Sequence, residues 1–285
     1  MSRLLIFDLL RIVAIFLVII AHIGQKHNIS ILNCACGVQD FYFVSFGGIG
    51  VTIFLIVSGA ALRLSNAQVI GYKKFIIKRL CRIYPAYWCS LIIILLGSAA
   101  KSHMVTLIPM DLLLSITAMY VFAGEWGGPI NSSSWFIGLI IILYMIYPFV
   151  AHLIRTHGYM ALLALLIVSI WSRWFFGQEI DPAIRATEWF PLCRIFEFAL
   201  GIFIVEKGLY PKALTNSKPI YLLSNLSFYL FLIHIPLLFV ANNILIYTVL
   251  VILSSYSIYL FDNIIIQPRL KAILNIDSMP NRSDS

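Results

Sequence analysis

Apolar residues in this chain come in long unbroken runs rather than in alternations or one-sided stripes. Runs of spanning length cover about 4–24, 43–64, 85–101, 134–154, 158–176, 188–207, 220–241 and 243–266. Each is near the roughly 20 residues that a helix needs to cross a ~30 Å hydrocarbon core. A further apolar stretch, 104–123, contains Pro109 and Asp111 and either crosses, re-enters or lies in the interface. The pattern predicts an all-α fold, a polytopic transmembrane helix bundle.

Composition agrees with the pattern. Hydrophobic residues make up 61% of the 285 positions and charged residues 11%, against about 25% charged in a soluble domain. Mean hydropathy is +0.95. The first run is too long for the apolar core of a cleavable leader, and no small-residue cleavage site follows it.

Charge gives the bundle a direction. If 104–123 does not cross and the N-terminus is cytoplasmic, fourteen Lys and Arg residues lie inside and four outside (Lys26, Lys101, Arg173 and Arg185). Arg11 and Arg194 then sit within spans. If 104–123 crosses, the count becomes nine against nine. The positive-inside rule selects about eight crossings plus one interfacial or re-entrant helix, with both termini cytoplasmic in the inner (cell) membrane. On this reading residues 1–270 form one transmembrane domain and 271–285 a polar cytoplasmic tail. The excess of 20 basic over 12 acidic residues expresses topology, and its scatter between spans argues against a nucleic-acid partner.

The ionisable residues that remain inside runs carry the chemical signal, because such groups are costly in lipid. The first run holds Asp8, Arg11 and His22. Arg11 and His22 are eleven residues apart, which puts them on one helix face about 16 Å apart in depth. Arg11 falls in the inner half and His22 at the outer end. Imidazole suits a general base because its ordinary pKa is near neutrality. The plain alternative is an Asp8–Arg11 intrahelical pair with an interfacial histidine; His27 lies outside the span and reads as solvated. Arg194 and Glu197 are three residues apart in a later run and suit an internal ion pair. Asp262, near the inner end of the last run, is expected to partner a neighbouring cation. His234 falls in the outer half, nearer the level of His22 than that of Arg11, and Pro236 should kink the helix there.

Lys73 to Pro85 is a basic amphipathic segment leading into the third run. Near a membrane surface each cation contributes about 1 kcal/mol toward anionic lipid. Arg79 and Arg82, three apart, share a helix face and could fork one phosphate. The five cysteines include Cys34-Ala-Cys36, tightly spaced for a disulfide. No Cys/His grouping has zinc spacing, so the cysteines read as mostly structural and no metal is expected.

Five short motifs, in order, give the chain a resemblance. They are Asp8-Leu-Leu-Arg11-Ile-Val-Ala with His22; Gly47-Gly-Ile-Gly50 leading to Ser58-Gly59; Lys78-Arg79-Leu-Cys-Arg82-Ile-Tyr84-Pro85; Asn131-Ser-Ser-Ser134-Trp135 with Tyr144 and Pro148; and Asn225-Leu-Ser227-Phe-Tyr229 with His234-Ile-Pro236. The sequence resembles the acyltransferase 3 family, polytopic membrane proteins that acylate extracytoplasmic sugars. Many members carry glutamate where this chain has Ile140, and the region near 207–220 is one or two spans short of the usual pattern.

The resemblance implies an O-acyltransferase using acyl-coenzyme A, with acetyl-coenzyme A favoured, and a glycan or lipid-linked sugar acceptor. His22 and Arg11 would be catalytic, with His234, Glu197 and Trp135 in support. Arg79, Arg82, Lys78 and Ser58 would hold the acyl-coenzyme A. Trp135 reads equally as an aromatic-belt anchor, and Gly47, Gly48 and Gly50 as close-packing positions. Two rival readings are a transporter or flippase, whose expected internal repeat is not seen, and an inactive scaffold of the family.

Overall fold

The computed structural model describes residues 4–27, 46–65, 71–100, 108–123, 128–179, 186–211, 218–241 and 243–274, the side chains of 98–100 excepted. Helices account for nearly all of them. In order they are α1 Leu5–His27, α2 Phe46–Leu64, α3 Tyr72–Ala100, α4 Pro109–Thr117, α5 Ser134–His157, α6 Tyr159–Glu179, α7 Ala186–Trp189, α8 Pro191–Glu206, α9 Lys218–Val240, α10 Ile244–Leu260 and α11 Gln267–Ile273. A short 3-10 turn, Tyr120–Ala123, follows α4, and a π-helical turn, Phe261–Ile266, joins α10 to α11. Among the described residues seven helices are long and apolar enough to cross a membrane.

Three boundaries depart from the sequence expectation. The basic stretch before Pro85 is continuous with the third span, so α3 begins at Tyr72 rather than at 85. The last span runs on through the π turn to Ile273. The stretch 188–207 is broken at Phe190, ahead of Pro191, leaving α8 with 16 residues, about 24 Å of helix. The described part of 104–123 is a nine-residue helix and a turn, far too short to cross; residues 104–107 lie outside the described set, as do Cys34 and Cys36.

The end of that short segment is docked on α3. The last carbonyls of a helix lack intrahelical donors, and α3 supplies them. Tyr87 Oη donates to the Ser115 carbonyl at 2.5 Å, Trp88 Nε1 to Ile116 at 3.0 Å and Tyr84 Oη to Thr117 at 2.8 Å. These donors sit at the middle of α3, so the end of α4 is docked deep against the bundle. Irregular backbone is tolerated at such depth only when protein covers it, as it does here.

Six helices close into a ring, each packed on the next in the order α1, α2, α8, α5, α3, α9 and back to α1. Outside it, α6 covers α8, and α10 covers α9. Phenylalanines from α2, α5 and α9 meet across the interior. Phe136 lies 4.8 Å from Phe231, and Phe54 lies 6.1 Å and 5.9 Å from these two, by ring centroids. This apolar plug is the centre of the core.

Of the three prolines inside helices, Pro85, Pro148 and Pro236, two have a side chain on the carbonyl they free. A helical proline cannot bond the carbonyl four residues back. Pro236 frees the Leu232 carbonyl, and the buried Asn131 side chain takes it at 2.9 Å. Pro85 frees the Cys81 carbonyl, which Gln267 Nε2 takes at 3.0 Å.

Candidate functional site

The site is built where α1 and α9 run side by side in the same direction. Three ties show the register. Ser224 Oγ donates to Asp8 at 2.7 Å, His22 meets His234, and Lys26 Nζ donates to the carbonyls of Leu238 and Ala241, the latter at 2.8 Å. The His22 and His234 ring centroids are 5.2 Å apart with planes tilted by 47°. Two histidines placed 212 positions apart in the sequence therefore form one pair. His22 is half-buried and His234 fully buried. His22 Nδ1 engages Gln25 Oε1 at 2.9 Å, and His234 Nδ1 engages the Phe231 carbonyl at 2.8 Å. Phe231 also belongs to the aromatic plug, so the plug lies one helical turn inward of the pair.

On the other side of the plug, α3 and α5 enclose a cleft of about 180 Å³. Arg79, Tyr84, Met119, Ile141 and Tyr144 are among its lining residues. Arg79 Nη2 donates to Ser65 at 2.9 Å, and its guanidinium lies over the Phe75 ring. No carboxylate forms an ion pair with it among the described residues. Tyr144 and Phe136 are eight residues apart on α5, about 12 Å of rise, so one helix runs from the cleft to the plug.

The other expected site residues fall into three groups. Arg11 Nη1 pairs with the buried Asp8 at 3.1 Å, the intrahelical pair that the spacing allowed. Arg82 is exposed and donates to Asn263 Oδ1 at 3.2 Å. Arg79 and Arg82 thus engage opposite neighbours rather than one shared partner. Lys78 is exposed, and Ser58 is half-buried beside Gly59. Trp135 is buried, its ring 5.8 Å from that of Phe136, which places it in the core rather than in an interfacial belt. His27 is exposed at the end of α1.

Glu197 belongs to a larger group than the spacing indicated. Arg194 Nη1 reaches Glu197 Oε1 at 3.3 Å, and Arg173 from α6 binds the same oxygen. Arg173 also donates to the Cys193 carbonyl at 2.7 Å, and Arg194 to those of Glu188 (2.8 Å) and, more weakly, Thr52 Oγ1 (3.4 Å). Arg173 was expected outside, and is instead drawn inward because the Glu197 carboxylate needs the partner. This arrangement locks α6, α8 and α2 together.

Asp262 departs from its expected role. It is fully buried, and its hydrogen bonds come from Tyr229 Oη at 2.7 Å and Gln267 Nε2 at 2.9 Å rather than from a cation. The π turn explains this: one extra residue per turn brings Asp262, Asn263 and Gln267 onto the α9 and α3 side together. Asn263 Nδ2 donates to Tyr229 Oη at 2.8 Å and its Oδ1 accepts from Arg82. The missed residues are therefore Ser224, Asn131, Arg173 and the Asn263–Gln267 pair. Asn131 had stood at the head of the fourth motif without a role, and Arg173 only in the charge count; Ser224, Asn263 and Gln267 left no signal.

A family model described as an acyltransferase domain matches residues 4–218. The chain belongs to this acyltransferase family. It is a multi-pass membrane protein of that family, and the match runs from α1 to the first residue of α9. The Asn225–Pro236 motif lies beyond the matched residues, and it is the contact between His22 and His234 that joins α9 to the site. Comparison with curated proteins and with solved structures finds no match.

Proposed function

We propose that this acyltransferase-family protein is an O-acyltransferase. It moves an acyl group, acetyl being favoured, from cytoplasmic acyl-coenzyme A to a hydroxyl of an extracytoplasmic sugar or polysaccharide. The observation that carries this reading is the placing of two unlike sites in one helix ring. An arginine cleft in which no carboxylate pairs with Arg79 among the described residues stands on one side of the phenylalanine plug, and a histidine pair on the other.

With the N-terminus cytoplasmic, the cleft faces inward and the pair outward. Arg79, with Arg82 and Lys78 on the exposed flank of α3, would attract the nucleotide phosphates by charge-assisted hydrogen bonds. The long pantetheine arm would follow α5 past the plug. His22 removes the proton as the acceptor oxygen attacks the thioester carbonyl. The new C–O bond forms, the C–S bond breaks, and the proton returns to the departing thiolate. Arg11, held by Asp8, keeps a fixed positive charge on the same face of α1 as His22, below it.

The test uses the purified protein in detergent with labelled acetyl-coenzyme A and a total glycan fraction from the source cells. Label should enter the glycan, and His22→Ala should abolish its entry while thermal unfolding stays unchanged. Full transfer by His22→Ala would remove the assigned base, and label that never enters any glycan would remove the reaction.

A further inference from the structure

Tyr229 of the fifth motif and the π turn Phe261–Ile266 take no part in the mechanism above, yet they meet in one hydrogen-bonded relay. Single π turns inside helices are rare and are found frequently at functional places. Each group in this relay has a settled direction. Asn263 Nδ2 donates to the Tyr259 carbonyl at 2.9 Å. That carbonyl can only accept, so the amide cannot be turned over, and its Oδ1 faces Arg82 Nη1 at 3.2 Å. Nδ2 also donates to Tyr229 Oη at 2.8 Å, so the hydroxyl hydrogen of Tyr229 points to Asp262 Oδ2 at 2.7 Å. Gln267 Nε2 meets the other oxygen of Asp262 at 2.9 Å and is itself oriented by the Cys81 carbonyl at 3.0 Å.

Every bond from Arg82 onward is donated toward Asp262. Groups aligned in this way polarise one another, which makes the Asn263 oxygen a better acceptor than an isolated amide. The two ends differ in exposure. Asp262 and Tyr229 are buried, Asn263 is half-buried and Arg82 is exposed. A buried carboxylate is costly unless it is compensated. Asp262 forms no ion pair among the described residues, and its counter-charge stands at the far end of the relay, on α3.

We infer that Asn263, Tyr229 and Asp262 are positioning residues for the acyl donor: they hold the Arg82 guanidinium by Nη1 on the flank of α3, so that Nε and Nη2 meet a phosphate of coenzyme A. This rests on the acyl-transfer reading above, in which Arg82 helps to attract those phosphates. A long side chain gives up rotamer freedom when it binds a ligand, and holding it beforehand spares the ligand that cost. The gain is the same for bound substrate and transition state, so KM reports it and kcat does not.

Thiol release from acetyl-coenzyme A by the purified protein, with water standing in for the acceptor hydroxyl, gives both constants. Asn263→Leu and Tyr229→Phe should each raise KM about three- to tenfold with kcat within twofold. Arg82→Met should raise KM about tenfold or more, and Asn263→Leu added to Arg82→Met should raise it no further. An unchanged KM in Asn263→Leu, a fall in kcat in its place, or a rise that adds in full to that of Arg82→Met overturns the inference. A second readout needs no substrate. No hydrogen bond joins Arg82 to Asp262 directly, yet Arg82→Met and Asp262→Asn should be non-additive in the thermal unfolding midpoint, and additive once Asn263 is replaced by leucine. Additivity with Asn263 in place overturns the relay itself. A parent that releases no thiol while its midpoints are non-additive would overturn the donor reading and uphold the relay.

Discussion

Two pairs of helices in this bundle run parallel, and they are joined in opposite ways. Along α2 and α8 the backbones touch. A Cβ at Gly201 would stand 1.9 Å from the Ile56 carbonyl oxygen, and one at Gly59 2.1 Å from that of Phe198. Small residues at such positions are what let helices associate in lipid, where apolar burial between them gives no drive. Polar links to α2 stand at either end of this seam, Arg194 with Thr52 and Arg63 with Glu206. Along α1 and α9 the contact is made by side chains instead: Ser224 on Asp8, His234 against His22, and Lys26 on the last carbonyls of α9. The first seam is steric and dry. The second is polar at three depths, and at its middle contact the His234 Nε2 acceptor has no partner among the described residues. Each seam keeps a buried polar atom without a hydrogen-bond partner among the described residues, Glu197 Oε2 on α8 and His234 Nε2 on α9, so what distinguishes α2–α8 as a frame is backbone-to-backbone packing, and what distinguishes α1–α9 is that ionisable side chains make the contact.

The largest expected effect breaks the frame. Gly201→Ala puts a methyl group into a backbone carbonyl, and the obstruction cannot rotate away. Overpacking of this kind costs about 1–3 kcal/mol, occasionally more, and here it should sit at the upper end. Thermal unfolding in detergent should show the lowest midpoint of any substitution named in this comparison. The residual folded fraction should keep its turnover per molecule, since no group near the histidine pair is touched. A midpoint equal to that of the parent would mean that α2 and α8 separate without penalty.

How far each seam was legible in the sequence follows from its chemistry. The ring's helices announce themselves as apolar runs, and Gly50, Ser58-Gly59 and the His234-Ile-Pro236 motif stand out within them. What these glycines pack against does not: Gly59 faces the Phe198 carbonyl and Gly201 that of Ile56, a carbonyl has no residue type, and Gly201 is one glycine among 16. Arg11, Asp8 and His22 declared themselves as costly residues in lipid, and Asp8 with Arg11 was readable as a local i, i+3 pair. Their long-range partners were silent. A serine such as Ser224 is unremarked in a span, and a contact between residues 8 and 224 depends on the whole ring closing. Arg173 was misplaced for a related reason: charge counting treats every basic residue near a span end as solvated, whereas the Glu197 carboxylate binds this one inside the bundle. The cleft before the plug was the least legible feature. It needs Met119 beside α3 and α5, and the apolar run at 104–123 did not disclose that its later part packs there.

The next effect tests whether the polar seam is held from its inner end. Asp8 is 1% exposed and accepts from both Ser224 and Arg11 on the same oxygen. Asp8→Ala leaves the hydroxyl and the half-buried guanidinium without that acceptor. Hydrogen bonds to a charged group are worth about 1.5–3 kcal/mol, so a stability loss of about 2 kcal/mol is expected. Unlike Gly201→Ala, this substitution should also lower turnover of the folded molecules, because it frees Arg11 and loosens the register that sets His22 against His234. Paired measurements of unfolding midpoint and thiol release give the two effects separately. A stability loss with turnover intact would reduce the α1–α9 seam to a second frame.

The smallest effect belongs to the outer end of the same seam. Lys26 donates to the carbonyls of Leu238 and Ala241, which close α9 after Pro236. A cation on the last carbonyls of a helix contributes about 0.3–1 kcal/mol at a partly exposed site, and water can replace it there. Lys26→Met should therefore lower the unfolding midpoint by less than Asp8→Ala does and leave thiol release within twofold of the parent. The reason is positional. His234 is anchored inward of Pro236 by the Phe231 carbonyl, and Asn131 holds the freed Leu232 carbonyl, so the histidine pair does not depend on the final turn of α9. A fall in turnover approaching that of His22→Ala would show the opposite, with Lys26 rather than Asn131 fixing the ring of His234 against His22.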